Sequence, residues 1–296
     1  MRNTSSIPSW LSKAEFSTVA DDNTNTARKA AVLGSPIGHS KSPLLHLAAY
    51  RALGLADWTY ERIECTGEQL PDLVSGLGDE WVGLSVTMPG KFAALEFATE
   101  RTERAVAIGS ANTLVRIDGG WRADCTDIDG VSGALGTIGV HDLTGRPAVV
   151  VGNGGTSRPA IVGLADLGAR EVTVVARSEQ RAAETFDCAE AVGITPRWVS
   201  FDDPALGEVC GASGALVSTV PAAAAAPYAA TLARAPYILD AIYDPWPTPL
   251  GAAAHALGSV VVSGLTMLLH QAFGQVEQFT GCAAPRDAMA AAVGLG

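Results

Sequence analysis

The sequence predicts an α/β protein of two domains, and three observations support this fold class. The chain has 296 residues, about twice the length of a common single domain. Short apolar runs alternate with segments whose apolar residues recur at helical spacing, as in β-α-β units built on a parallel sheet. A glycine-rich loop follows one such run and precedes a helical segment, an order typical of a doubly wound, Rossmann-type nucleotide-binding domain.

The first half of the chain predicts alternating strands and helices that lead into a hairpin. We expect strands at 30–33, 58–63 and 81–88, helices at 43–53, 70–77 and 92–98, and paired strands at 112–117 and 121–125. Ser42 is expected to cap the first helix, because Pro43 stands at its first helical position. Residues 1–28 are rich in polar side chains and lack the apolar stretch of a signal peptide, so we interpret them as a disordered tail.

The second half predicts a β-α-β unit, further strands and a long C-terminal helix. We expect strands at 148–151, 172–175, 215–220 and 238–241, a helix from the glycine-rich loop through Leu167, and a helix at 265–279. The order of strand, glycine-rich loop, helix and strand in this half indicates a β-α-β unit with a parallel sheet.

The composition excludes several classes of protein. Asp and Glu number 31 against 20 Lys and Arg, and the formal charge of −11 argues against partners such as nucleic acid or an anionic membrane surface. No apolar run reaches the roughly 18 residues of a membrane-spanning helix. The five cysteines form no disulfide framework and the five histidines do not join them at metal-ligand spacing. We therefore expect a cytoplasmic protein that acts on a small molecule and binds no metal. Its oligomeric state, monomer or homodimer, stays open.

The glycine-rich loop is the candidate cofactor site. Glycines let the backbone approach a pyrophosphate, and the N-terminus of the next helix supplies N–H donors. The candidate residues are Gly152, Asn153, Gly154, Gly155, Thr156 and Ser157. Where an NAD site usually has a carboxylate, the next strand ends at Arg177, with Arg181 close behind. A guanidinium binds a 2′-phosphate through charge-assisted hydrogen bonds, so this pair predicts NADP.

Six further segments, in order along the chain from about residue 30 to the C-terminus, belong to a recognisable set. They are Gly34-Ser35-Pro36-Ile37-Gly38-His39-Ser40-Lys41-Ser42-Pro43 with His46, Ser85-Val86-Thr87-Met88-Pro89-Gly90-Lys91, Ala111-Asn112-Thr113, Thr126-Asp127 with Gly130, Tyr243-Asp244-Pro245 with Thr248-Pro249, and Gly264-Leu265-Thr266-Met267-Leu268 with Gln271. Together they resemble the signature of the shikimate/quinate dehydrogenase family, and the ordered set is far more specific than any one segment.

The resemblance implies a function and a set of site residues. It implies reversible, NADPH-dependent reduction of 3-dehydroshikimate to shikimate, on the pathway to chorismate and the aromatic amino acids. The implied catalytic pair is Lys91 and Asp127. These two and the following residues would contact substrate: Ser40, Ser42, Thr87, Asn112, Tyr243 and Gln271. Ala176 and Ser178 would lie near the adenosine phosphate, and Thr219, Val220 and Gly264 near the nicotinamide.

The expected organisation follows from these roles. Residues 29–131 would form the substrate-binding and catalytic domain, with the helices of 265–296 packing back on it. Residues 132–264 would form the NADP-binding domain, with a cleft between the two. The sequence departs from the family pattern at several positions, including Ser85, Cys125 and Ala176, each of which stands where the family often has Asn. Cys125 puts the positioning of Asp127 in question, because a thiol is a poor hydrogen-bond donor.

Other functions remain open at this point. A sister enzyme of the family would act on quinate or on an amino analogue of shikimate, although the paired Ser40 and Ser42 favour shikimate. A catalytically silent NADP-binding sensor would be expected to lack Lys91 or Asp127, and both are present. An unrelated Rossmann enzyme, such as a folate dehydrogenase, would leave the serine-rich loop without an explanation.

Overall fold

A computed structural model describes residues 27–295, apart from the side chain of Glu184. The predicted tail, residues 1–28, therefore lies almost wholly outside the described residues. By their internal contacts the described residues divide into two compact units. The N-terminal unit comprises residues 27–126 with 268–295, and the central unit comprises Asp127–Met267.

The N-terminal unit is built on a mixed six-stranded sheet. Its strands are β1 (Lys29–Gly34), β2 (Thr59–Glu64), β3 (Trp81–Val86), β4 (Glu100–Arg101), β5 (Thr113–Ile117) and β6 (Gly120–Asp124), in the order β2-β1-β3-β5-β6-β4. Strands β1, β2 and β3 are parallel, whereas β5 is antiparallel to both β3 and β6. Its helices are α1 (Ser42–Ala52), α2 (Leu70–Ser75), α3 (Lys91–Phe97) and α4 (Glu103–Ile108).

Two apolar cores cover the two faces of this sheet. Along β1, Ala30 and Val32 belong to one core, and Ala31 and Leu33 to the other, because successive side chains of a strand point to opposite faces. The first core also includes residues of α1 and of the two C-terminal helices, α12 (Gly264–Thr280) and α13 (Arg286–Ala292). Residues 268–295 thus return to the N-terminal unit after the whole central unit has been completed.

The central unit has a fully parallel six-stranded sheet. Its strands are β7 (Ala148–Val151), β8 (Glu171–Val175), β9 (Thr195–Val199), β10 (Ala215–Ser218), β11 (Tyr237–Asp240) and β12 (Val260–Ser263), in the order β12-β11-β10-β7-β8-β9. This is the doubly wound order of a Rossmann fold, and its direction reverses between β7 and β10. Its helices are α5 (Asp127–Thr137), α6 (Ser157–Asp166), α7 (Glu179–Ala191), α8 (Leu206–Ala212), α9 (Ala222–Ala225), α10 (Ala229–Leu232) and α11 (Pro249–Leu257).

The predicted fold class is confirmed, as are most predicted elements. The prediction that Ser42 caps α1 is wrong: α1 begins at Ser42 itself, and the preceding residue, Lys41, makes no side-chain capping bond. Strands β9 and β12, and helices α5 and α7 to α11, were not predicted in the central unit. The mixed sequence of β9 lacks the continuous apolar run that marked β7, β8, β10 and β11, whereas β12 has such a run and was missed. The predicted boundary after residue 131 lies inside α5.

Residues 27–295 contain neither a membrane-spanning helix nor a cluster of metal ligands. None of the helices in this part of the chain is both long and apolar enough to span a membrane. No group of three or more His, Cys, Asp or Glu side chains within residues 27–295 is arranged to hold a metal ion. None of the five cysteines is in a disulfide; four of them are buried and Cys282 is exposed.

Candidate active site

The substrate loop, defined here as residues 34–41, joins β1 to α1 and carries the first predicted ligands. The hydroxyl of Ser40 donates to that of Ser42 over 3.2 Å and accepts the backbone N–H of Ser42 at 3.3 Å. Ser42 is buried, and Ser40 is half-buried. The two hydroxyls therefore form a pair at the N-terminal end of α1, where the N–H groups of a first helical turn favour an anion.

A buried polar network extends from this pair into the core. Ser42 is a hydrogen-bond partner of Tyr60. The Tyr60 hydroxyl donates to Ser85 Oγ at 2.6 Å, and Ser85 in turn donates to Gln275 Oε1 at 2.7 Å. The Gln275 amide nitrogen donates to the Asn112 carbonyl at 3.1 Å and to Thr113 Oγ1 at 3.0 Å. Gln275 of α12 thus connects β3 to the start of β5, and the sequence did not reveal this role.

His46 completes the network as a neutral, stacked imidazole. Its ring lies parallel to that of Tyr60, with centroids 4.0 Å apart, and its Nε2 is 3.4 Å from Gln275 Oε1. Burial lowers the pKa of His46 to about 3, and the hydrogen bond with Gln275 opposes this only in part. Its Nδ1 is buried and has no hydrogen-bond partner among residues 27–295. The histidine of the sequence motif therefore packs in the core and does not titrate near neutral pH.

Asn112 and Gln271 lie together although they are 159 positions apart in the chain. Asn112 Nδ2 donates to Gln271 Oε1 at 2.6 Å and to Thr126 Oγ1 at 3.0 Å. Both amides are almost fully buried, with exposures of 2% and 7%. Two adjacent amide groups suit a ligand with several hydroxyls, because each amide can both donate and accept.

Thr87 and Lys91 lie on the connection between β3 and α3. The Thr87 N–H donates to the carbonyl of Leu33 at 2.8 Å, beside the start of the substrate loop. Lys91 is the first residue of α3 and is half-buried. Its carbonyl accepts the N–H of Ala111 at 3.0 Å, so its backbone is fixed next to Asn112.

Asp127 is buried at the first turn of α5, and the segment before it is anchored at Asp124 and Thr126. Asn112 Oδ1 accepts the N–H of Thr126 at 2.8 Å. Asp124 accepts hydrogen bonds from Arg104, Thr102 and Gln278. Burial by itself raises the pKa of Asp124. The hydrogen bonds and charge of Arg104, together with the hydrogen bonds from Thr102 and Gln278, lower this pKa further than burial raises it, so it lies below its ordinary value. These anchors hold the segment before Asp127 without an amide at position 125.

The glycine-rich loop of the central unit lies where the strand order reverses, between β7 and β10. Ligands of doubly wound sheets bind at this point, at the carboxyl ends of the strands. Gly154 and Gly155 have open space around their Cα atoms, whereas a side chain at Gly152 would lie 2.5 Å from Thr219 Oγ1. Gly152 also has φ of +112°, which side chains disfavour.

The predicted phosphate ligands follow β8. Arg177 and Arg181 are exposed and flank the start of α7, with Ser178 at its N-cap position. Asn153 Nδ2 donates to the carbonyl of Arg181 at 2.7 Å, which ties the glycine-rich loop to α7. The carbonyl of Ala176, a residue whose side chain is buried, accepts the indole N–H of Trp198 at 3.0 Å.

Tyr243 and Gly264 follow β11 and β12. Tyr243 is half-buried, and the connection that carries it is held by Asp240, which accepts the Thr248 hydroxyl at 2.6 Å and the Ile242 N–H at 3.3 Å. Burial raises the pKa of Asp240, with these two bonds opposing the rise. At Gly264 a side chain would collide with the carbonyl of Ala241, so glycine is required there by backbone packing.

Comparison with family models identifies two parts of the chain. The model described as the shikimate dehydrogenase substrate binding domain matches residues 32–114. The model of the shikimate 5'-dehydrogenase C-terminal domain matches residues 264–293. The first matched range lies within the N-terminal unit. The second begins with α12, most of which belongs to that unit, and continues through α13.

Individual relatives cover nearly the whole chain. A curated shikimate dehydrogenase (NADP(+)) of Methylobacterium radiotolerans is 39% identical over 266 residues, which cover 86% of this chain and 91% of the relative. The crystal structure of Mycobacterium tuberculosis shikimate dehydrogenase is 61% identical, with a TM-score of 0.86, and the match covers 90% of this chain and 99% of that one. A shikimate 5-dehydrogenase structure from Mycobacterium fortuitum is 62% identical, with a TM-score of 0.83 and coverage of 90% and 98%.

Proposed function

The chain belongs to the shikimate dehydrogenase family, and from this premise we propose that it catalyses the reversible NADPH-dependent reduction of 3-dehydroshikimate to shikimate. Its place is then on the pathway to chorismate and the aromatic amino acids. The observation that carries the substrate assignment is the 2.6 Å hydrogen bond between Asn112 and Gln271. Two buried amides, brought together from distant parts of the chain, match the ring hydroxyls of this substrate.

The carboxylate end of the substrate is assigned to the serine pair. Ser40 and Ser42 present two hydroxyls at the start of α1, with Thr87 and Tyr243 assigned to the same bound acid. Hydroxyl donors and the N-terminal turn of a helix hold an anion without a permanent counter-charge. A site built to hydrogen-bond hydroxyls also rejects analogues that lack them, because its own polar groups would be left unpaired.

Lys91 is the proposed acid and base of the reaction. Charge builds on the substrate's ketone oxygen during reduction, and the ammonium of Lys91 stabilises this charge and donates a proton to the oxygen. In the direction of shikimate oxidation, the neutral amine accepts the hydroxyl proton. The fixed Lys91 backbone, bonded to Ala111 beside Asn112, supports this placement.

Asp127 is proposed to orient Lys91 and to keep it protonated. A carboxylate near an ammonium favours the charged form of both. The anchoring of Thr126 by Asn112 and of Asp124 by Arg104 supports a fixed position for Asp127 despite the thiol at position 125. The same Asn112 side chain would thus serve both the substrate and the catalytic carboxylate.

The residues of the central unit fit NADP. The open surroundings of Gly154 and Gly155, next to the N-terminus of α6, leave room for a pyrophosphate against backbone N–H groups. When bound, NADPH supplies the hydride that reduces the ketone carbon. Arg177, with Arg181, is assigned to the 2′-phosphate, Ala176 and Ser178 to its surroundings, and Thr219, Val220 and Gly264 to the nicotinamide end.

The experiment that tests this function is NADPH consumption by the purified protein with 3-dehydroshikimate, with NADH in parallel. We expect rapid, NADPH-selective turnover, and lower kcat/KM in the oxidation of quinate and of the amino analogue than of shikimate. A higher kcat/KM for quinate or the amino analogue than for shikimate would mean that the analogue is the substrate of this enzyme. A folded protein that binds NADPH but turns over none of these substrates would be a sensor rather than this enzyme.

Location and assembly complete the proposal. The absence of disulfides among the five cysteines, all of which lie in the described residues, supports a reducing compartment, the cytoplasm. The net charge of −11 supports a small-molecule enzyme that binds neither nucleic acid nor anionic membranes. We assign it as a monomer or homodimer, which sedimentation or light scattering of the purified protein would determine.

A further inference from the structure

Two charged side chains of β2, Arg62 and Glu64, face the substrate loop. They stand two residues apart on a strand and therefore point to the same side of the sheet. Strand β2 is parallel to β1, and its register pairs Arg62 with Val32 and Glu64 with Gly34. Both side chains thus lie beside the point where β1 ends and the loop begins.

Glu64 binds the first half of the loop. The Ser35 hydroxyl donates to Glu64 Oε1 at 2.6 Å, and the Ile37 N–H donates to Oε2 at 3.1 Å. Each carboxylate oxygen therefore has its own donor from the loop. Hydrogen bonds to a charged acceptor are stronger than neutral ones.

Arg62 binds the second half of the loop. Its Nε and Nη2 donate to the carbonyl of Ser40 at 2.9 and 2.5 Å. This carbonyl belongs to one of the two proposed carboxylate ligands. Within the loop itself, the Ser40 N–H donates to the Ile37 carbonyl at 3.1 Å. Glu64 and Arg62 therefore hold the two ends of this internal turn.

The charge of Arg62 also reaches the buried side of the serine pair. Burial raises the pKa of Tyr60 above its ordinary value, while hydrogen bonds with Ser85 and Ser42 and the positive charge of Arg62 act against this rise. Tyr60 is a partner of Ser42, so the guanidinium lies close enough to act on the group that Ser42 contacts. A guanidinium that is hydrogen-bonded to the Ser40 carbonyl also favours binding of an anion at Ser40 and Ser42.

We propose that Arg62 and Glu64 are positioning residues that hold the substrate loop, so that Ser40 and Ser42 present their hydroxyls to the substrate's carboxylate, and that Arg62 adds attraction for that anion. This inference rests on the proposed function, because it takes the serines as carboxylate ligands. Neither residue touches the reacting atoms. Their loss therefore affects binding of the acid and leaves the chemical step intact.

The kinetic test compares Arg62→Gln and Glu64→Gln with a matched control, Arg101→Gln. Arg101 is also an exposed arginine that donates to a backbone carbonyl, that of Glu96, but it lies on β4 at the opposite edge of the same sheet. We expect the KM for 3-dehydroshikimate to rise roughly 3- to 10-fold in Arg62→Gln and about 2- to 5-fold in Glu64→Gln, which keeps one acceptor oxygen. We expect kcat and the KM for NADPH to stay within about twofold of the parent, and Arg101→Gln to match the parent.

Shikimate methyl ester, oxidised in the reverse direction, separates anion binding from general damage. If Arg62 acts on the carboxylate, its loss raises the KM for shikimate and changes that for the neutral ester by less than about twofold. Three outcomes would overturn the role of Arg62 in anion binding. They are an unchanged KM for shikimate in Arg62→Gln, an equal increase in KM for the acid and the ester, and an equal increase in Arg101→Gln.

Hydrogen exchange of the loop amides tests the positioning itself, without any substrate. We expect faster exchange of the Ile37 and Ser40 amides in Arg62→Gln and Glu64→Gln, and parental rates in Arg101→Gln. Unchanged exchange would show that the two residues do not hold the loop. A parent protein that fails to turn over 3-dehydroshikimate would refute the proposed function and, with it, the carboxylate role, while the exchange rates would still decide whether the loop is held.

Discussion

The Oγ of Ser157 lies 2.8 Å from Oγ1 of Thr219, and this contact joins the first turn of α6 to the end of β10. The Thr219 hydroxyl donates to the carbonyl of Val151 at 2.9 Å, so it accepts from Ser157. One threonine thus ties together β7, β10 and the helix that follows the glycine-rich loop. Gly152 fits beneath it because any side chain there would meet the same hydroxyl.

Thr219→Val should weaken NADPH binding, because the loop and the N-terminus of α6 lose their common hydroxyl partner. We expect the KM for NADPH to rise roughly 3- to 10-fold, with the KM for 3-dehydroshikimate nearly unchanged. Steady-state kinetics would measure both. The matched control is Thr173→Val, which removes a buried hydroxyl that accepts from Arg197 on the same sheet, within β8. Equal effects in the two variants would indicate general loosening of the sheet.

Lys91→Ala should lose most of its turnover and keep its affinity for NADPH. General acid–base catalysis contributes about 10²- to 10⁴-fold, so kcat is expected to fall within that range. Turnover and NADPH binding by fluorescence would be measured side by side. Lys29→Ala is the control, since Lys29 lies at the surface near Glu80 and should leave kcat at the parental value. Near-normal kcat in Lys91→Ala would remove this residue from the mechanism.

Arg177→Ala should reduce selectivity for NADPH over NADH. Hydrogen bonds to charged groups contribute about 1.5–3 kcal/mol, so kcat/KM with NADPH is expected to fall roughly 10- to 100-fold while that with NADH changes little. Arg170→Ala is the control, because Arg170 donates to the carbonyl of Ala169 near the opposite end of β8. An equal loss with both nucleotides would contradict a contact between Arg177 and the 2′-phosphate.

His46 should make the stability of the protein depend on pH in the acid range. Burial lowers the pKa of the folded imidazole to about 3, below its ordinary value of 6.5. Its contribution to stability is therefore complete above pH 6.5 and is lost as the pH falls towards 3, by about 1.4 kcal/mol per pH unit. Between pH 7 and pH 5, the parent should lose about 2 kcal/mol more of its free energy of unfolding than His46→Phe does.

The His46→Phe comparison uses urea unfolding at the two pH values. Phenylalanine keeps a flat ring between Tyr60 and Phe279, on which the histidine now stacks. Other acidic groups titrate equally in both proteins, so the difference between the two isolates His46. Identical losses of stability on acidification would mean that the folded histidine titrates like an exposed one.

Much of the central unit was predictable because its signals are local. The apolar runs of β7, β8, β10 and β11 and the glycine-rich loop each lie within a few consecutive residues. The sequence also showed that Ser85 and Cys125 stand where the family often has Asn, but it did not show what this changes in the structure. Ser85 is bonded by Tyr60 and Gln275, and the segment around Cys125 is held by neighbours on both sides.

The α/β class, the family and the candidate ligands could be predicted from the sequence, because each depends on residue type and spacing along the chain. Which polar groups meet could not be predicted, because it depends on how the chain folds. In the sequence, Gln275 lies at a polar position of a predicted helix, Arg62 lies in a predicted strand, and Glu64 directly follows that strand. Their partners are distant in the chain, and a hydrogen bond between distant residues leaves no periodic pattern. Packing of the surrounding core brings these groups within hydrogen-bonding distance, and the complete burial of Gln275 makes a partner for its amide necessary.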